Sequence, residues 1–185
     1  MEALFISMGV VTLAEFGDKT QLLAFILATR FKRPVPIIWG IFLATLINHS
    51  LAGAVGAWIT TVIPQEILRW TLGILFFCIA IWTLIPDKIE ENKIPTSKHL
   101  GVFWTTFFTF FLAEMGDKTQ IATVALTVHY SAPLLVIIGT TIGMLLADVP
   151  AVFLGNKFAE KIPMKVVNFI AAAILILMGL LTLFY

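Results

Sequence analysis

The sequence predicts an all-α membrane protein, with six transmembrane helices built as two inverted three-helix repeats. Three observations carry that expectation. The 185 residues are 59% hydrophobic and only 12% charged, with a mean hydropathy of +1.00; a soluble domain has about twice that charged share. The apolar residues fall into six runs, each near the about 20 residues a bilayer-spanning helix needs. A nine-residue segment occurs twice, in the first and fourth runs, at an offset of 99 residues.

The runs cover residues 3–29, 35–63, 68–85, 100–128, 134–154 and 164–185. Met1-Glu2-Ala3 puts no basic region ahead of the first run, so that run is expected to be a retained helix and not a cleaved signal. Arg30 through Pro36 separates runs one and two, and Pro64-Gln65-Glu66 separates two and three. Residues 86–99 form the one long polar stretch; Ser131-Ala132-Pro133 and residues 156–163 make the last two breaks. The expected organisation is therefore repeat one at 1–86, a cytoplasmic loop at 87–99 and repeat two at 100–185. Six spans with short loops are expected to fill these 185 residues, with no extra soluble domain expected among them. The single cysteine, Cys78, lies in an apolar run and is expected in the core.

Charge sets the expected orientation. Arg30, Lys32, Arg33, Lys88, Lys93, Lys98, Lys157, Lys161 and Lys165 fall in alternate breaks, while the opposite side has Arg69 alone. Basic loops stay cytoplasmic, so both termini should face outward. Trp39, Trp82 and Trp104 then fall at inner ends and Trp58 and Trp70 at outer ends, as an interfacial aromatic belt requires. The net charge of +1 gives no footprint for nucleic acid.

The duplicated segment reads Leu13-Ala14-Glu15-Phe16-Gly17-Asp18-Lys19-Thr20-Gln21 and Leu112-Ala113-Glu114-Met115-Gly116-Asp117-Lys118-Thr119-Gln120. Pro34, Ile38 and Gly40 match Pro133, Ile137 and Gly139 at the same offset. Three spans per half is an odd number, so the halves should lie in opposite orientation, the plan of many secondary transporters with a midplane site between repeats.

Carboxylates at mid-membrane are costly and mark ion pathways. On continuous helices the i, i+3 spacing would put Glu15 with Asp18, and Glu114 with Asp117, on one face, with Gln21 and Gln120 extending each face. Four carboxylates meeting from two helices make a hard oxygen site suited to Mn²⁺, Ca²⁺ or Mg²⁺. Thr20 and Thr119 add hydroxyls. Gly17 and Gly116 are expected to serve helix packing or close approach of backbone or ion. Lys19 and Lys118 are too deep to reach the interface, and the nearest candidate partners are Glu15 and Glu114 four residues back. Such pairs could simply hold helices together, but they would leave Asp18 and Asp117 unneutralised. In the second and fifth runs, His49 beside Asn48 aligns with Asp148 at the repeat offset, which makes them candidates for a proton path. Pro150 would free the carbonyl of Leu146. His99 and His129 fall near span ends and are expected to be solvated, as is Glu90-Glu91.

Both motifs fit E-x-G-D-[KR]-[TS] without departure, in spans one and four of six. The sequence thereby resembles uncharacterised protein family 0016, the cation/proton exchangers that include Golgi transmembrane protein 165, and the resemblance covers essentially the whole chain. It implies exchange of Mn²⁺, and of Ca²⁺, for protons, with Glu15, Asp18, Glu114 and Asp117 binding the cation. Short prokaryotic relatives imply manganese export across a plasma membrane. The implied partners are the metal ion, protons and the bilayer; the metal is cargo, and no prosthetic group is expected.

Other classes fit less well. An intramembrane aspartyl protease would resemble G-x-G-D, which neither motif contains, so no catalytic residues are assigned. A structural subunit needs no five buried acids. An amino-acid exporter would bind an amine and a carboxylate, against the surplus of acids here. A cation channel is separated from an exchanger only by flux coupling. The five acids Glu15, Asp18, Glu114, Asp117 and Asp148, offset by two lysines, leave an emptied cluster at three negative charges. Protons should replace the departing metal in so poorly solvated a place.

Overall fold

The computed structural model describes residues 1–85, 101–154 and 164–184. The expected 87–99 loop, with Lys88, Glu90, Glu91, Lys93, Lys98 and His99, lies outside these residues, as do Lys157 and Lys161. The described chain is all-helical. It comprises α1 (Glu2–Glu15), α2 (Lys19–Phe31), α3 (Pro34–Val62), α4 (Gln65–Thr83), α5 (Val102–Glu114), α6 (Lys118–Tyr130), α7 (Pro133–Leu154) and α8 (Met164–Phe184). Four of these, α3, α4, α7 and α8, are long and apolar enough to cross a membrane.

The expected helix limits hold within about three residues at α3, α4, α7 and α8, where proline or polar residues punctuate the chain. The first and fourth runs differ. Each is two helices joined through the motif, α1 to α2 and α5 to α6. The cause is a tight turn written into E-x-G-D. Phe16 has φ −60° and ψ 120°, Gly17 has φ +79°, and the Asp18 N–H donates to the Glu15 carbonyl at 3.0 Å. Met115 (φ −66°, ψ 115°), Gly116 (φ +80°) and the 3.1 Å bond from Asp117 N–H to Glu114 C=O repeat it. These are type II turns, whose third residue needs the positive φ that glycine supplies. A Cβ at Gly116 would meet nothing within 4 Å, so backbone conformation, and not packing, selects this glycine. Asp18 then caps α2, its Oδ1 accepting from the Lys19 backbone N–H at 2.7 Å.

Each broken pair runs along the long helix of the other half. A Cβ at Gly139 of α7 would collide with the Leu4 carbonyl of α1, and one at Gly143 would come within 2.6 Å of the Met8 carbonyl. Further along, Gln21 of α2 reaches Ala147. On the other side Gly40 of α3 meets Phe103 and Thr106 of α5, Asn48 meets Phe111, and Gly56 meets Val124 and Thr127 of α6. Residue numbers rise together in both cases, so α1 is parallel to α7 and α5 is parallel to α3. The glycines let these helices approach at backbone distance.

Two apolar clusters result. One joins Val10 of α1 to Leu72 and Phe76 of α4, Ala122 and Leu126 of α6 and Leu175 of α8. The other joins Leu23 and Leu27 of α2 to Ile37 and Ile41 of α3, Phe110 of α5 and Val152 of α7. Each broken pair enters both clusters, with its motif in between. Outward positions such as Trp39, Trp58, Trp70, Trp104, Ile74, Ile81 and Leu177 are apolar and exposed, the pattern of a lipid-facing surface. Cys78 belongs to that outer face of α4 and not to the core. His129 is half-buried and so only partly open to its surroundings, with Nδ1 3.0 Å from Thr182 Oγ1 and its ring against Phe76.

Candidate metal centre

The turns stop each helix at a glutamate and restart it at an aspartate. Glu15 and Glu114 therefore end α1 and α5, where the helix dipole favours a nearby cation. All four motif acids are buried, as are Asp148, His49 and Asn48. The expectation of carboxylates spaced along one continuous helix face is overturned, because the positive φ at each glycine ends the helix between them.

Each lysine reaches the aspartate of the opposite motif. Lys19 Nζ lies 2.9 Å from Asp117 Oδ1, and Lys118 Nζ lies 3.0 Å from Asp18 Oδ2. The i, i+4 geometry that would have offered Glu15 to Lys19 vanishes with the helix, and the aspartate of the opposite motif takes the lysine. This crossing neutralises the two aspartates that a local pairing would have left bare. The electrostatic neighbours of Lys19 are Asp117, Asp18 and Glu114, and Lys118 also faces Glu15.

Hydroxyls and amides secure the rest. Thr20 Oγ1 donates to Glu15 Oε2 at 2.5 Å, and Thr119 Oγ1 donates to Glu114 Oε2 at 3.2 Å. Gln21 and Gln120 do not extend a helix face. Each folds back over its turn, Oε1 accepting from Gly17 N–H at 3.0 Å and from Gly116 N–H at 2.7 Å. Gln21 Nε2 also donates to the Ala147 carbonyl at 2.9 Å, one residue beyond the Leu146 carbonyl that Pro150 leaves without its helical N–H. Asn48 Nδ2 donates to the Phe111 carbonyl at 3.1 Å.

Three of the four expected acids converge. Glu15, Glu114 and Asp117 each present an oxygen, and these atoms lie within 4.8 Å of one another. Asp18 is not in that set. A small contraction would bring such oxygens to the about 2.0–2.6 Å bonds of hard divalent cations. Glu15 Oε1, Glu114 Oε1, Asp117 Oδ2 and both Asp148 oxygens have no hydrogen-bond partner among the described residues. Buried acceptors left in this way are what a cation or a proton would satisfy. Asp148 faces Glu15, Asp18 and Glu114 electrostatically, so it adjoins the cluster. Both His49 ring nitrogens lack a partner among the described residues, and no bond joins His49 to Asp148 there.

The family profile described as "Divalent cation/proton antiporter GDT1" matches residues 3–91 and 102–185. The chain belongs to the GDT1 divalent cation/proton antiporter family. GDT1 proteins are transporters and not enzymes. A Vibrio cholerae serotype O1 relative, whose name proposes it as a manganese exporter, is 48% identical over 187 residues, covering 100% of this chain and 92% of its own. GDT1-like protein 3 of Oryza sativa subsp. indica is 25% identical over 209 residues, with 100% and 74% covered. GDT1-like protein 3 of Arabidopsis thaliana is 25% identical over 210 residues, with 100% and 71% covered. No solved structure matches the chain.

Proposed function

We propose that this GDT1 antiporter exports Mn²⁺ from the cytoplasm of a prokaryotic cell in exchange for protons. The ion binds Glu15, Glu114 and Asp117, with Asp18 beside them held by Lys118. The observation that carries this reading is the meeting of both motifs: three carboxylate oxygens within 4.8 Å, framed by two crossed lysine–aspartate pairs. Hard oxygen donors suit Mn²⁺ and Ca²⁺ alike; the name of the 48% identical relative favours Mn²⁺.

The two broken pairs count as spans one and four, giving six crossings in two inverted repeats. The parallel course of α1 with α7 and of α3 with α5–α6 supports this, since each long helix then runs with the first span of the opposite half. Cation sites at the ends of broken helices between such repeats are a recurring transporter design. The alternating basic breaks support outward termini and an inner-membrane location. Thr20, Gln21, Thr119 and Gln120 hold the turns, Lys118 and Lys19 balance charge, and Asp148, Asn48 and His49 line the proton side.

Exchange follows from charge. A bound divalent ion reduces the cluster's three excess negative charges to one, and protons take its place when it leaves. In proteoliposomes an imposed pH gradient should accelerate Mn²⁺ flux, with protons moving the other way. Flux indifferent to the gradient at matched membrane potential would instead indicate a channel. Asp117→Asn, with folded protein retained, should abolish Mn²⁺ transport.

A further inference from the structure

We infer that the two motif lysines have different roles: Lys19 is a tethered cation that gives up Asp117 to the arriving metal, whereas Lys118 is a fixed counter-charge. This deepens the proposed metal site and rests on it. The sequence makes the two lysines equivalent, since both follow the motif aspartate. The structure separates them in two independent ways.

One is the identity of their partners. Lys19 holds Asp117, which belongs to the three-oxygen set, while Lys118 holds Asp18, which does not. An ion entering the triangle therefore meets a carboxylate whose Oδ1 is already held by the Lys19 ammonium at 2.9 Å, with Oδ2 alone open. Two cations on one buried carboxylate repel strongly where water is scarce. The other difference is freedom to leave. The Lys19 side chain is 26% exposed and that of Lys118 is 5% exposed. A flexible four-carbon stem that is partly exposed can shift its ammonium away from a carboxylate, and the more deeply buried Lys118 has less freedom to do so.

Three carboxylates with Lys19 beside them hold two excess negative charges, and the ion with Lys19 withdrawn leaves one. Repulsion between the two cations on Asp117, and not the charge count, drives the exchange. Lys19 thus keeps the emptied triangle from being fully bare without holding it so firmly that metal cannot enter. Binding is weakened by the fraction of molecules in which Lys19 occupies Asp117.

The test uses the full chain purified in detergent, with Mn²⁺ binding followed by electron paramagnetic resonance and release followed by rapid chelation. Lys19→Met should bind Mn²⁺ about tenfold tighter and release it more slowly, because the competing ammonium is gone. Lys118→Met should show no tightening. Unchanged or weaker binding in Lys19→Met, or equal tightening in both variants, overturns the division of roles. Should Lys19→Met not fold, Lys19→Arg decides the question. Its fork-shaped guanidinium grips a carboxylate more firmly, so Mn²⁺ binding should weaken, and wild-type binding would overturn the inference. Asp117→Asn is the separate control. Wild-type Mn²⁺ affinity in that variant would remove the metal site itself, whereas lost binding there with no effect at Lys19 would reject only the lysine roles.

Discussion

Lys118 and Asp18 form an ion pair 3.0 Å long in which both side chains are buried, though 100 positions separate them in the sequence. The pair ties the start of α2 to the start of α6. Breaking one partner of a buried pair costs about 3–5 kcal/mol, because the other charge is stranded. Lys118→Met should therefore lower thermal stability by that order, measured by melting in detergent. Lys19→Met also strands a buried aspartate, but the Lys19 side chain is 26% exposed against 5% for Lys118, so it gives up less buried contact and should cost less than Lys118→Met. Equal losses at the two sites would contradict the assignment of Lys118 as the fixed member.

Gly17 and Gly116 hold positive φ at the third position of each turn. Gly116→Ala should destabilise by about 1–2 kcal/mol through backbone strain alone, since its Cβ meets open space. Gly116→Asn should cost less than Gly116→Val, because asparagine tolerates this region and a β-branched residue does not. Chemical denaturation of the purified variants gives that ranking directly.

Gln21 bridges the Gly17 N–H and the Ala147 carbonyl, so it ties the first turn to α7. Gln21→Leu leaves both without that partner and should cost about 1–3 kcal/mol. Hydrogen–deuterium exchange should speed at Gly17 while the ends of α3 keep their protection. Protection unaltered at Gly17 would show that the bridge contributes nothing.

Asp148 adds a fifth carboxylate beside the four motif acids, with both oxygens lacking a hydrogen-bond partner among the described residues. Asp148→Asn removes one negative charge from the emptied cluster. Mn²⁺ transport should persist in the variant, but with fewer protons moved per ion and a weaker response to an imposed pH gradient. Simultaneous proton and Mn²⁺ flux measurements give the ratio; an unchanged ratio would place proton carriage on the motif acids alone.

The helix limits at Pro34 and Pro133, and the duplicated motif, were legible because proline and a repeated string are local signals. The breaks inside the first and fourth runs were hidden by hydropathy, which averages over apolar neighbours and is blind to dihedral angles. A signal was nonetheless present. Glycine followed at once by aspartate is a helix stop followed by a helix start, positive φ and then an N-cap. The lysine partners were not legible, because sequence spacing exposes only neighbours on one helix and Asp117 reaches Lys19 through tertiary packing. Cys78 was misplaced for a related reason. A uniformly apolar helix carries too little periodicity to distinguish its lipid face from its packed face.

Lys32 and Ser131 both adopt the left-handed conformation, at φ 52° and 50°, although neither is glycine and their side chains have nothing in common. They occupy corresponding places after α2 and α6. A left-handed residue is how many helices end, because it turns the chain back over the last free carbonyls. What the two places share is therefore the stop and not the side chain that makes it. The crossed pairs carry a further consequence: the aspartate and the lysine of each motif find their ion-pair partners in the other, so neither half of the chain balances its own buried charges alone.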